Sequence, residues 1–424
     1  MSTPDGLAPL IEELKARHEW IEEEQEIYRN VPIPLAILAH KVGCDVIDAA
    51  EGLASQELSL KVAHGAQDER SAAVRSIGTN RRAGCVFDLL SFWTCWRLGA
   101  LDAVTETCGA IHVARRTMDQ LQARRERISR STASGFKSAQ YKDGKIAVTE
   151  ASPEVVQSWL DDTDGAIAWL RANENICPLI VPESIPEALR DNLRESPVAI
   201  FDSLVLAMQK RLLFISDDLP TRDFGRVFGF GRSAWLQPVF MAACEKRKID
   251  FDTYVKWTAH LIGAGHSYLG ISSAALIRAS TIDAEAGECP GYYSKEISKM
   301  IGGTVADPAS HVRVVIEFLR HIWERPSTRS YREPVTGLLL ERLVRDRTSD
   351  FGLILRTVIT YVSDITALMD YFRAWLRGHF VDLARTLRTH YATFCLQVIQ
   401  ILAKAGTGTF YHMQIWTISV YILI

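Results

Sequence analysis

Aspartates recur beside short apolar runs that are predicted to form buried strands. They are Asp88, Asp119, Asp202, Asp217 and Asp218, and Asp223 follows in the next loop. Open α/β sheets bind their ligands at the carboxyl ends of the strands, so these side chains are expected to share one crevice. Carboxylates that meet without an interleaved lysine repel one another unless a cation lies between them. The pattern therefore indicates a site for Mg²⁺ or Mn²⁺, which prefer oxygen ligands.

Each aspartate taken singly also has an ordinary structural interpretation. Asp202 suits a helix N-cap, and Asp217 with Asp218 suits a turn ahead of Pro220. The functional interpretation depends on convergence of the whole set, because bound Mg²⁺ or Mn²⁺ activates water and stabilises the charge that develops on a phosphate. The sequence contains no Gly-x-Ser-x-Gly nucleophile motif, and its cysteines and histidines form no zinc-type cluster.

The elements expected to position these aspartates alternate between strand and helix, which predicts a parallel sheet. Strands are predicted at 84–88, 109–113, 177–181, 212–215 and 266–269, and helices at 89–98, 101–107, 114–127, 182–194, 202–211, 234–246 and 251–262. Residues 221–225 are expected to form a turn. A hairpin at 138–150, with its turn at Asp143-Gly144, and a helix at 152–172 interrupt the series. The expected fold class is α/β.

The flanking regions are predicted to be mainly helical. Helices are expected at 7–21, 34–42 and 44–53 on one side and at 312–323, 335–346, 353–364 and 367–378 on the other, with a half-exposed strand at 58–62. The charged segment 65–75 favours a solvated helix face. The boundaries predicted are 1–82, 83–280 with an insertion at about 124–199, and 281–424. The apolar tail 410–424 is too short for a bilayer span and indicates a buried element or a partner surface.

Composition restricts the class of protein. With 47% hydrophobic and 23% charged residues the chain is typical of a soluble globular protein, and its net charge of −3 gives no overall attraction to nucleic acid. The eight cysteines lie mostly in apolar runs and no signal peptide precedes them, which predicts free thiols in the cytoplasm. Arginines concentrate in one segment, Arg115 to Arg130, where phosphate binding and an ordinary exposed helix face are equally consistent with the pattern.

The order of these motifs resembles that of the PIN (PilT N-terminus) domain nucleases, which include VapC-type toxins. Val86-Phe87-Asp88 with Ser91 resembles the first motif, Ile111 to Leu121 with Asp119 the second, Asp202 to Ala207 the third, and Ile215 to Asp218 with Asp223-Phe224 the fourth. The resemblance covers about residues 84–280. It implies a PIN-like parallel-sheet domain with helices on both faces, placed within a larger bacterial multidomain protein.

The resemblance also implies an activity. The expected function is a metal-dependent endoribonuclease, with Asp88, Asp119, Asp202 and one of Asp217, Asp218 or Asp223 as ligands of Mg²⁺ or Mn²⁺, RNA as substrate and water as nucleophile. Asp119 stands where the family usually has Glu, and about 80 residues separate the second and third motifs. The alternative hypothesis is therefore a catalytically weak or inactive PIN-like module that binds RNA or, through the helical C-terminal region, a protein. A membrane partner is not expected.

Overall fold

A computed structural model describes residues 8–132, 135–142, 144–173, 176–179, 201–303, 307–347 and 350–386 of the chain. The chain divides into two compact units, one ending at Gly270 and the other beginning at Ile271. The predicted helix at 182–194, the end of the predicted strand 177–181 and the apolar tail 410–424 lie outside the described residues.

A parallel sheet of short strands forms the centre of the first unit. Its strands are β1 (Cys85–Phe87), β2 (Ile111–Ala114), β5 (Ile176–Cys177), β6 (Leu213–Ile215) and β7 (Ser233–Ala234). They lie in the order β5-β2-β1-β6-β7, and every pair of neighbours is parallel. The strands are almost entirely apolar and buried, as is typical of a parallel sheet covered on its faces. The α/β fold class is confirmed.

Strand register determines which residues emerge together at the carboxyl edge of this sheet. Phe87 at the end of β1 pairs with Val113 of β2 on one side and with Ile215 of β6 on the other. The residues that follow, Asp88 and Ser216, therefore leave the sheet side by side. The predicted hairpin is confirmed as a separate antiparallel pair, β3 (Phe136–Lys142) with β4 (Lys145–Ala151).

Helices of the first unit precede, connect and follow the strands. They are α1 (Ala8–Asn30), α2 (Leu35–Val42), α3 (Val46–Ser55), α4 (Gln67–Asn80), α5 (Leu89–Arg97), α6 (Leu101–Cys108), α7 (Arg115–Ser129), α8 (Pro153–Ala172), α9 (Asp202–Lys210), α10 (Leu219–Val227), α11 (Leu236–Glu245) and α12 (Phe251–Gly263). Most match the predicted helices, since their apolar residues recur at helical spacing.

Four local predictions for the first unit are wrong. Residues 58–62 form no strand, because Leu60 makes only an isolated parallel bridge to His266, and the strand predicted at 266–269 is the other half of that bridge. The expected turn at 221–225 lies inside helix α10. The segment 65–75 belongs to α4, but its face is not simply solvated: Glu69 is buried and pairs with the buried Arg222.

In the described residues of the second unit, the regular secondary structure is helical. Its helices are α13 (Ser273–Glu285), α14 (Tyr292–Ser298), α15 (Pro308–Glu324), α16 (Arg332–Val344), α17 (Phe351–Val362) and α18 (Thr366–Thr386), with a 3₁₀ turn at Pro326–Thr328. The four predicted C-terminal helices are confirmed. Buried Val315, Phe318 and Leu319 mark the core-facing stripe of α15. In the described part of the chain, no helix has the length and apolar character needed to cross a bilayer.

Candidate active site

Asp88 and Asp218 come together at the carboxyl edge of the sheet. Asp88 follows β1 and caps α5, accepting a hydrogen bond at Oδ1 from the Ser91 amide at 2.7 Å. Its Oδ2 accepts from the Ser216 hydroxyl, which lies just beyond the neighbouring strand β6. The Asp88 carboxylate and the Ser216 hydroxyl that orients it thus come from the ends of two neighbouring strands, β1 and β6.

Asp218 is held from two directions. Its Oδ2 accepts hydrogen bonds from the Thr221 hydroxyl at 2.8 Å and from the Leu35 amide at 3.0 Å. Leu35 is the first residue of α2, which has no side-chain cap of its own, so Asp218 serves as an acceptor for the amino end of that helix. The other oxygen, Oδ1, is buried and has no hydrogen-bond partner among the described residues.

Both carboxylates line the same small cavity, whose volume is about 40 Å³. The polar side chains around it come from Asp88, Asp218, Thr117, Gln120, Ser203 and Thr221, and the remaining wall is formed by Leu35, Ala36, Val46, Leu89 and Leu90. A space of this size accommodates a water molecule or a small ion. It is too small for a nucleotide.

Burial dominates the electrostatics of the carboxylate pair. It raises the pKa of Asp88 to about 6, against the opposing effect of the hydrogen bonds from Ser216 and Ser91. It raises the pKa of Asp218 to about 7, and there the negative charge of Asp88 adds to the effect of burial. Two carboxyls that disfavour ionisation together are stabilised in their charged forms when a cation binds between them.

The second expected ligand does not reach the cavity. Asp119 lies on the exposed side of α7, where its carboxylate accepts a 3.3 Å hydrogen bond from Arg115. The neighbouring Gln120 lines the cavity together with Thr117, one turn earlier on the same helix face. The side chain that α7 offers to the site is therefore a neutral amide.

The third expected ligand shows the same one-residue offset. Asp202 begins α9, but the residue of that helix that lines the cavity is Ser203. The Asp202 carboxylate lies 3.9 Å from the guanidinium of Arg116. Burial raises the pKa of Asp202, although the charge of Arg116 acts in the opposite direction.

Of the three aspartates that were open as the last ligand, the cavity includes Asp218. Asp217 is buried elsewhere, accepting from the Leu236 amide at 2.9 Å and pairing with His266 at 2.9 Å. Asp223 faces another part of the surface and pairs with His64 at 3.0 Å. Asp217 and Asp218 are thus consecutive in the chain but point to different surroundings, and Asp223 lies further on, in α10.

Three arginines of the basic segment pair with carboxylates of neighbouring elements. Arg124 donates to Asp45 at 2.8 Å and also contacts Asp48, and Arg127 contacts the same two carboxylates. Arg125 pairs with Asp164 on α8. These arginines therefore serve internal contacts across α3, α7 and α8.

The described residues at the cavity offer fewer acidic ligands than the sequence predicted. Within the described ranges, no three His, Cys, Asp or Glu side chains lie close enough together to hold a metal ion. Asp88 and Asp218 nevertheless fit a divalent cation, because both are oxygen donors at one cavity and the buried Asp218 Oδ1 has no partner among the described residues. The remaining oxygens at the cavity belong to amide and hydroxyl groups.

Sequence reasoning missed Gln120, Thr117 and Ser203. A usable signal exists for α7, since its buried positions Met118, Leu121 and Ile128 define the inward face and leave Asp119 outside it. For α9 the rotation about the helix axis is set by contacts with β1 and β6, which the sequence does not display.

A comparison with known families matches the part of the chain that contains the sheet and the cavity. Residues 86–227 match the family described as the PIN domain associated with the TPR-GreAB-C-PIN system. The match spans β1 to the end of α10, and so includes the sheet pairs and both carboxylates at the cavity. It supports a PIN domain in this part of the chain, flanked by helical N- and C-terminal regions. No curated protein and no solved structure matches the chain.

Proposed function

We propose that this protein is a PIN-type endoribonuclease that requires Mg²⁺ or Mn²⁺ and hydrolyses RNA phosphodiester bonds. The observation that carries the proposal is the pair of carboxylates, the half-buried Asp88 and the buried Asp218, at one cavity on the carboxyl edge of a parallel sheet. The PIN match supports the nuclease class. RNA as the substrate rests on the resemblance of the four sequence motifs to those of PIN ribonucleases.

The residues of the site divide into those that would hold the cation and those that orient them. Asp88 and Asp218 would hold it, with the Gln120 amide and the Ser203 hydroxyl at the same cavity as neutral oxygen donors. When bound, the cation activates water and stabilises negative charge on the phosphate. Ser91 and Ser216 fix the Asp88 carboxylate through both of its oxygens.

The hydrogen bonds on Asp88 and Asp218 limit how far these two carboxylates can rotate. Thr221 restrains Asp218 through Oδ2 and leaves Oδ1 without a partner within the described residues. Because Asp88 and Asp218 disfavour ionisation in the absence of a cation, cation binding is expected to release protons and to strengthen as the pH rises from about 6 to 8.

The test is cleavage of a fluorescent single-stranded RNA oligonucleotide by the full chain, with Mn²⁺ and with EDTA. Wild type should cleave only with Mn²⁺, and Asp88→Asn should abolish cleavage while keeping the α5 cap, because Asn is an equally good N-cap residue. Asp119→Asn is the matched control, since it removes a carboxylate on the exposed face. Equal cleavage by wild type and Asp88→Asn would reject the assignment.

A second candidate function is a PIN-like module without catalysis that binds RNA or a protein. One observation favours it: α7 offers Gln120 rather than a carboxylate to the cavity, so Asp88 and Asp218 are the acidic side chains that line it among the described residues. Calorimetry separates the two functions. Mn²⁺ binding that is lost in Asp218→Asn supports the nuclease. RNA binding by a protein that takes up no Mn²⁺ supports the module.

A further inference from the structure

The wall of the cavity is not built by the PIN segment alone. Leu35 and Ala36 of α2 and Val46 of α3 line it, although all three precede the residues that match the family. The Leu35 amide donates directly to Asp218, and the Leu35 side chain is 1% exposed. We call residues 35–55, which comprise α2, α3 and their connection, the cap.

The cap forms part of the wall of this small cavity. With these helices in place the free volume is about 40 Å³, enough for water or a small ion. Hydrolysis of RNA requires a phosphodiester to approach the same carboxylates. With the cap in place, a cavity of this size has no room for a whole nucleotide beside Asp88 and Asp218.

The cap is attached to α7 by an ionic latch made of Asp45, Asp48, Arg124 and Arg127. Both aspartates contact both arginines. The Arg124 side chain is 8% exposed, and its guanidinium lies 5.4 Å from the centre of the Trp93 ring. A latch of this kind depends on charge, because removing the carboxylates leaves a buried cation without its partners.

A separate set of contacts fixes the chain just beyond the cap. The Leu219 amide donates to the Lys61 carbonyl at 2.8 Å, and the buried Arg222 contacts the Val62 carbonyl and Glu69. These contacts lie at α10 and not at α7. The segment that follows the cap is therefore attached independently of the ionic latch.

We infer that the cap is an autoinhibitory element: α2 and α3 cover the Asp88–Asp218 cavity, and the ionic latch on α7 keeps them closed. The inference rests on the proposed nuclease function for its inhibitory part only. Coverage of the cavity can be measured without any catalysis, so the two parts fail separately.

The first experiment measures access to the cavity in the full chain. Ser203→Cys places a thiol on a buried cavity residue, and N-ethylmaleimide labelling is followed by peptide mass spectrometry. The fully buried Cys85 of β1 is the internal control, because it reacts only when the sheet itself opens. In the closed protein the thiol at position 203 should react slowly.

Breaking the latch should release that thiol selectively. Asp45→Asn with Asp48→Asn removes both charges but keeps an N-cap residue for α3, and labelling at position 203 should accelerate at least about tenfold while Cys85 stays unchanged. Asp164→Asn is the matched control, since it breaks an ion pair of the same helix with Arg125 and leaves the cap alone. Its labelling rate should equal that of the parent.

A second variant covers the case in which the two new asparagines preserve the latch by hydrogen bonding to the arginines. Leu38→Ala removes a buried side chain of α2 that does not line the cavity, and it should also accelerate labelling at position 203. If neither variant changes the labelling, or if the parent thiol already reacts as fast as an exposed one, the cap does not cover the site and the inference is overturned.

The final experiment measures inhibition, with serine retained at position 203. Asp45→Asn with Asp48→Asn should cleave single-stranded RNA with Mn²⁺ at least about tenfold faster than wild type, because more molecules are open. Faster labelling with an unchanged cleavage rate overturns the inhibitory role. Faster labelling with no cleavage in any variant supports coverage of the cavity and instead rejects the proposed nuclease function.

Discussion

The two kinds of element that supply acidic residues to this sheet edge behave differently. Asp88 and Asp218 follow strands β1 and β6, and both line the cavity. Asp119 and Asp202 lie on helices α7 and α9, and in each case the neighbouring residue lines the cavity instead. Asp88 directly follows β1 and is placed by the register of the sheet, whereas a carboxylate on a helix is placed by rotation about the helix axis.

The difference follows from geometry. Paired strands hold their residues in a fixed register, so the ends of β1 and β6 stay aligned to within one residue. Along a helix, consecutive side chains are separated by about 100°. An offset of one residue therefore moves a helical side chain from the cavity to the surface, as between Gln120 and Asp119.

The largest expected effect compares one strand-end aspartate with one helical aspartate. Asp218→Asn should lower Mn²⁺-dependent RNA cleavage by about a hundredfold or more, because it removes one of two carboxylates at the cavity. Asp202→Asn should lower it less than about threefold, since Ser203 is the residue of α9 at the cavity. Initial rates at saturating Mn²⁺ measure both, and a larger loss for Asp202→Asn would reverse the comparison.

The same aspartate should destabilise the apo protein at high pH. The folded-state pKa of Asp218 lies at about 7, above its ordinary value of 3.8, so its contribution to stability is present below pH 4 and is lost as the pH rises through 7. Asp218→Asn should therefore raise the free energy of unfolding at pH 8 by on the order of 2 kcal/mol and change it little at pH 4. Urea unfolding at the two pH values measures this, and an equal effect at both would contradict the raised pKa.

A variant that adds a carboxylate to α7 tests whether this helix faces the cavity through position 120. Gln120→Glu places a third carboxylate at the cavity and should lower the Kd for Mn²⁺ by about tenfold, because affinity for hard cations follows the charge of the ligands. Asp119→Glu is the control, since it lengthens an exposed side chain. Calorimetry at pH 7.5 gives both values. Tighter binding in the Asp119 variant alone would show that α7 presents its other face.

The smallest effect is expected on the exposed side of α7. Asp119→Asn breaks a solvent-exposed pair with Arg115 one turn earlier, and pairs of this kind contribute little to stability. The free energy of unfolding should change by no more than about 0.5 kcal/mol. A clearly larger loss in urea unfolding would indicate that Asp119 has a buried role.

Periodicity and strand signals were enough to predict most helices, the strands β1, β2 and β6, and the sheet edge at which the site lies. They failed at Leu60, where alternation indicated a strand, because the partner segment at His266 supplies a single bridge and no further pairing. They also missed β7, whose two residues are too few to form a pattern.

The site was predictable only as far as strand ends decide it. The sequence left Asp217, Asp218 and Asp223 as alternatives, and their separation arises from long-range partners: His266, Leu35 and His64. None of these partners is near in the sequence. The cap could not be predicted from the sequence for the same reason. Its latch joins Asp45 and Asp48 to arginines that the sequence marks only as a basic segment.

The hydrogen bond from Leu35 to Asp218 joins residues 183 positions apart, so the carboxylate proposed to hold the cation also holds the amino end of α2. Its Oδ2 accepts from Leu35, and its Oδ1 is the oxygen without a partner in the described residues. By thermodynamic linkage, the factor by which a cation on Asp218 changes the release of α2 equals the factor by which that release changes the affinity for the cation. A change in the N-terminal helices would then set the metal affinity of a site whose carboxylates lie far along the chain.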